Sequence, residues 1–124
     1  MNLAVSRIAI VGLFSVMLTG CGGAGPVLDE ADQALVDART AVASGDQAKA
    51  IELLDVSISL KPDTWSYYER ARLLAETGDD DAARKDIDSG LELDPEHAEL
   101  LWLKKQIKKP KRSRFKGAPP SASK

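Results

Sequence analysis

One histidine and one cysteine among 124 residues leave little for catalysis to work with. Together they assemble neither a zinc site nor a nucleophile–histidine pair. His97 lies at the start of an expected helix, which reads as a solvated N-terminal residue and not as an acid–base group. Gly22, Gly23 and Gly25 follow no strand and open no lysine-bearing turn, so no phosphate loop is present. Asp79, Asp80 and Asp81 suggest calcium only faintly. Asp86 and Asp88 would need a third oxygen ligand at position 90, which is Gly90, and a helix-capping role fits the aspartates better. The chain also lacks a long apolar run. Its longest, Ile8 to Leu18, has 11 residues and rises about 16 Å as a helix against a hydrocarbon core of roughly 30 Å. These absences argue against an enzyme, a bound cofactor or metal, and a permanent membrane crossing.

What the N-terminus does contain is a secretion signal in three parts: Arg7 as the positive region, Ile8 to Leu18 as the apolar region, and the small residues Thr19 and Gly20 before a cut. Leu18-Thr19-Gly20-Cys21 resembles the lipobox of bacterial lipoproteins. The resemblance implies that Cys21 is alkylated by diacylglycerol, becomes the first residue of the mature chain and is acylated on its new amino group. Several acyl chains hold a protein firmly where one binds marginally. An ordinary signal peptide with an incidental cysteine is the alternative. Gly22 stands where an aspartate would retain such a lipoprotein in the inner membrane, so the resemblance favours the outer membrane in a cell that has one and the cell membrane otherwise, facing periplasm or exterior. Residues 21–27 would form the lipidated cysteine and a tether, of which the five residues Gly22 to Pro26 reach only about 12 Å.

Charge divides the remainder. Residues 28–103 carry all nineteen acidic side chains against seven basic ones, and residues 104–124 carry nine basic and no acidic side chains. The net charge of −2 therefore conceals an acidic body and a basic tail. The tail, residues 109–124, has three prolines after Pro110 is counted and one aromatic, a composition that predicts disorder. Lys108, Lys109, Lys111, Arg112, Arg114 and Lys116 can bind anionic headgroups with Phe115 dipping into the interface, fold back on the body, or stay hydrated. The secretion signal argues against nucleic acid as their partner.

The body repeats with a period of 33: Gly45 with Gly78, Asp46 with Asp79, Ala50 with Ala83, Leu60 with Leu93, Pro62 with Pro95. Each unit holds two helical patterns separated by a Gly-Asp break and ended by proline, which predicts antiparallel hairpins. Leu28, Ala31, Leu35, Ala38 and Val42 form one expected stripe; Ile51, Leu54 and Ile58 form the next. A fifth helix over residues 97–108 would bury Leu100, Leu103 and Ile107. Leu101 and Trp102 would project from its other side, as a ragged end or as a patch meeting another molecule, including a second copy.

Ala71, Leu74, Gly78, Ala83, Ile87, Leu93 and Pro95 fall on signature positions of the tetratricopeptide repeat, whose period is about 34. The stretch from Gly78 to Pro95 is most similar to it. Ala34 and Asp37 depart from the family's large apolar positions, so the first repeat should be the softer. The resemblance implies an all-α fold: repeats at 28–63 and 64–96, a capping helix at 97–108, and an α-α superhelix with flexible extensions at both ends. It also implies a concave groove, here with Leu35, Arg39 and Val42 from the first repeat and Trp65, Tyr68 and Arg72 from the second. Aromatics beside arginines suit a protein or peptide partner, although the same residues can simply complete internal packing and pair with nearby acids. Leu35 and Glu69 replace groove residues needed to clamp a chaperone's C-terminal carboxylate. The expected function is a lipid-anchored scaffold or adaptor that binds a protein partner and can self-associate. The alternative is a membrane-proximal spacer whose basic tail binds anionic lipid or polymer.

Overall fold

The computed structural model describes residues 27–123. The secretion signal, Cys21 and the tether as far as Pro26 lie outside the described residues. Five helices follow in order: α1 (Glu30–Ala43), α2 (Gln47–Leu60), α3 (Thr64–Thr77), α4 (Asp80–Leu93) and α5 (Ala98–Ile107), then two short 3-10 turns at Lys111–Ser113 and Pro120–Ser123. No strand occurs among the described residues.

The repeat in the sequence is a repeat of helix punctuation. Gly45 and Gly78 take φ of 84° and 98°, left-handed values that suit a residue without Cβ. At each glycine the following aspartate reaches back with its backbone N–H to a carbonyl five residues earlier: Asp46 to Ala41 and Asp79 to Leu74. The same aspartates then cap the next helix, Asp46 accepting from Lys49 N at 3.0 Å and Asp79 from Ala82 N at 3.1 Å. Asp29 and Asp63 cap α1 and α3 in the same way. Helices α2 and α4 stop two residues before Pro62 and Pro95, as the steric demand of proline on its predecessor requires.

These breaks fold the chain into two hairpins, α1 with α2 and α3 with α4, joined by packing of α2 on α3 and closed by α5. Alanines at 38, 50, 71 and 83 are at most 1% exposed and let paired helices approach closely. Leu54, Leu73, Ile87, Leu100 and Leu103 fill the remaining space and are fully buried. Each contributes about 2 kcal/mol by its removal from water. In α1 the buried face is Ala31, Ala34, Ala38 and Ala41, while Leu35 and Val42 are half-buried and Leu28 precedes the helix and is exposed. The expected leucine stripe of α1 is therefore an alanine stripe. Val36, Val56 and Leu60 remain exposed on this hairpin.

A polar line crosses the hairpin junction. Ser57, on α2, donates to the Ala31 carbonyl at 2.9 Å and lies 2.9 Å from Ser66 on α3, which itself donates to Asp63. Arg70 on α3 makes a two-point contact with Asp86 on α4, at 2.8 and 2.6 Å, and reaches Asp55 on α2 at 2.6 Å. One guanidinium thus ties three helices, and these carboxylates raise its pKa further above the ordinary arginine value.

The tail departs from the sequence expectation of disorder. After α5 the chain turns at Lys111–Ser113 and folds back on the body, and the second 3-10 turn contacts α5. Composition could not show this, because a few specific contacts, chiefly those of Arg114 and Phe115, hold it.

Candidate interaction face

The expected groove residues come from α1 and α3, the separate apolar patch from α5, and the structure separates those that remain accessible from those that do not. Arg39 is half-exposed and pairs across helices with Glu69, Nε to Oε1 at 3.3 Å. Leu35 and Val42 lie half-buried beside the alanine core. Trp65 is 40% exposed and Tyr68 only 3%. Burial raises the Tyr68 phenol above its ordinary pKa. Tyr68 is a core residue that α5 covers, which corrects its expected place as a groove contact. Arg72 is half-buried, 3.4 Å from Glu76 one turn along α3, and its buried Nε makes no hydrogen bond.

His97 was expected to be solvated and is 7% exposed instead. It caps α5, its Nδ1 accepting from Leu100 N at 3.4 Å, and it meets Trp65 edge-on at 4.8 Å between centroids. Tyr68 adds a further edge contact to Trp65 at 6.1 Å. Spacing of three puts Trp65 and Tyr68 on one face of α3, but only the junction between α3 and α5 brings His97 to them. Trp65 is held on two sides and remains partly exposed.

Leu101 is 38% exposed, as expected of the open side of α5. Trp102 is not free: it packs on the core and against Phe115, 6.2 Å away. The tail supplies this cover. Arg114 is only 7% exposed at its side chain. Its guanidinium makes a fork with Asp80 at 2.6 and 2.8 Å and also donates to the carbonyls of Ile107 at 2.8 Å and Lys109 at 2.9 Å. Phe115 N donates to Gln106 Oε1 at 3.3 Å, and Lys111 Nζ reaches the Gly78 carbonyl at 3.4 Å. The fork from Arg114 holds the Asp80 carboxyl below its ordinary pKa and raises that of Arg114. Of the basic tail residues named from sequence, Lys108, Lys109, Lys111, Arg112 and Lys116 remain exposed. The triple aspartate is legible as a helix start, but nothing in it distinguishes Asp80 as the residue that receives Arg114.

Among the described residues no group of histidine, cysteine, aspartate and glutamate is placed to hold a metal ion, and no helix is long and apolar enough to cross a membrane. Comparison with protein-family models, curated proteins and solved structures gave no match.

Proposed function

We propose that the chain is a lipid-anchored, non-enzymatic interaction module of the tetratricopeptide type, acting at a bacterial envelope membrane as a scaffold or adaptor for a protein partner. The observation that carries the proposal is Trp65, 40% exposed yet fixed edge-on by His97 and Tyr68. A rigid, half-exposed tryptophan loses little conformational freedom on binding and supplies a large contact area, the properties of an interface anchor. The Arg39–Glu69 pair gives the face both signs of charge and hence orientational selectivity. The lipid anchor at Cys21 rests on the lipobox resemblance alone and sets place, not partner.

The test is capture of partners by the full chain carrying Trp65→Ser with Arg39→Glu. Both side chains lie outside the fully buried core, so the helices should persist by circular dichroism. Loss of a partner captured by the unaltered chain is expected. Retention of every partner by the double variant would contradict the proposal and favour the spacer alternative, in which the exposed lysines of the tail bind anionic lipid or polymer.

A further inference from the structure

The tail makes a set of contacts that a ligand would make. Its residues run back along α5 from its C-terminal end toward its start. Arg114 sits at the Ile107 carbonyl, Phe115 at Gln106 and Trp102, and Pro120 and Ser121 border a cleft of about 300 Å³ with Trp65, Ala98 and Glu99. The receiving surface is built from three elements. The first turn of α4 gives Asp80, the last turn of α5 gives the carbonyl of Ile107 and the amide of Gln106, and the break after α3 gives the carbonyl of Gly78. Acceptors dominate this surface, at the carbonyl end of one helix and at a carboxylate, so it suits a planar cation able to donate several hydrogen bonds at once. Arg114 fulfils that role with four hydrogen bonds.

Phe115 shows that the fit is held from outside the tail. It adopts φ of 55°, the one non-glycine residue at positive φ among those described. That conformation costs an L-residue about 1 to 2 kcal/mol and persists where surrounding contacts impose it. Its ring lies on Trp102 and its N–H on Gln106. The body carries nineteen acidic side chains against seven basic ones over residues 28–103, so a cationic peptide approaches a surface of opposite sign.

We propose that Asp80, Gln106, Trp102 and the end of α5 form a receptor for a basic peptide bearing Arg-Phe, and that the chain's own Arg114-Phe115 occupies it as a displaceable ligand. A protein partner seated there would present the same chemistry, an arginine followed by an aromatic within a lysine-rich stretch, and would compete with the tail. The proposal deepens the reading of the chain as an interaction module by naming the partner class of this second surface. It does not involve Arg39.

The experiment uses the full chain and a fluorescent peptide with the sequence of residues 110–117, which stops short of the cleft beside Trp65, followed by fluorescence anisotropy. The Arg114→Gln chain, its latch weakened, should bind the added peptide at least ten-fold more tightly than the unaltered chain, whose site is filled. Adding Asp80→Asn to that variant should reduce binding at least ten-fold, and a peptide with lysine at position 114 should bind more weakly than the arginine peptide, because lysine lacks the planar fork. Circular dichroism confirms that the helices are retained. Phe115→Ala in the full chain, which removes the ring from Trp102 but keeps the Arg114 fork, weakens the latch in a second way and should give a smaller gain. Equal binding to altered and unaltered chains would place the peptide elsewhere on the acidic body and overturn the proposal, as would absence of binding to both altered chains. Arg39→Glu should leave peptide binding unchanged. A failed peptide experiment therefore leaves the capture test of the Trp65 face standing, and a failed capture leaves this one standing.

Discussion

Arg70 and Asp86 show how a single pair of side chains is bound into the stability of the body. The Asp86 side chain is 8% exposed and that of Arg70 21%, so their charges are largely withdrawn from water and compensate each other. Asp86→Ala leaves the guanidinium with only the exposed Asp55, and the expected loss is about 3 kcal/mol in urea unfolding, the lower end of what breaking a buried pair costs. The paired replacement Arg70→Met with Asp86→Leu should recover most of it, since no buried charge is stranded. Gly90 makes an opposite case, in which adding atoms is the fault. A Cβ there would lie 2.6 Å from Leu100 Cδ1 and 3.2 Å from Tyr67 Cβ, and Leu100 is fully buried, so its side chain would have to repack within the core. Alanine gains about 1 kcal/mol in helix propensity over glycine, but overpacking a tight core costs about 1 to 3 kcal/mol. Gly90→Ala should therefore lower the unfolding midpoint; a rise would show that α5 slides away freely.

Among elements, the tail is the one whose order depends on charge. Asp80's carboxyl is held below its ordinary value of 3.8 by the Arg114 fork. A lowered carboxyl contributes stability that is complete above its ordinary value and is lost as pH falls through the lowered native value. The tail should accordingly stay docked at neutral pH and release in acid below about pH 4, while the helices persist longer. Backbone NMR relaxation at residues 111–116 measures this directly: rigid values near neutrality, falling to those of a free chain in acid. Uniformly mobile values at every pH would contradict the docked geometry. Sequence reasoning expected disorder here and left folding back on the body as one of three fates for the basic residues, for a physical reason. Composition reports average burial capacity, and this segment is held by one planar cation and one ring finding specific acceptors. The helices were legible because their signals are local. Asp46 and Asp79 cap, Gly45 and Gly78 turn, Pro62 and Pro95 stop, and each acts within a few residues. His97 and Tyr68 were misplaced because their burial is decided by α5 packing on α3, a contact between distant segments that periodicity does not encode.

At the scale of the whole molecule, two hairpins and one closing helix leave a face on which Arg39 and Trp65 stay accessible, and a terminal surface occupied by the tail. The first hairpin buries an alanine face and exposes Val36, Val56 and Leu60, so it is the less self-sufficient half. Short helical arrays depend on neighbours for burial, and a partner that binds the folded form adds stability by mass action. The account therefore requires the two sides of the body to differ in what they touch. Site-specific photocrosslinking in intact cells decides this, with the photoreactive group placed at position 65 or 39 on the proposed face, or at the exposed positions 52 and 85 on α2 and α4. A discrete adduct from 65 and 39, absent from 52 and 85, is the expected result. Adducts indifferent to position, or none from 65 and 39, would contradict the claim that this face binds a partner.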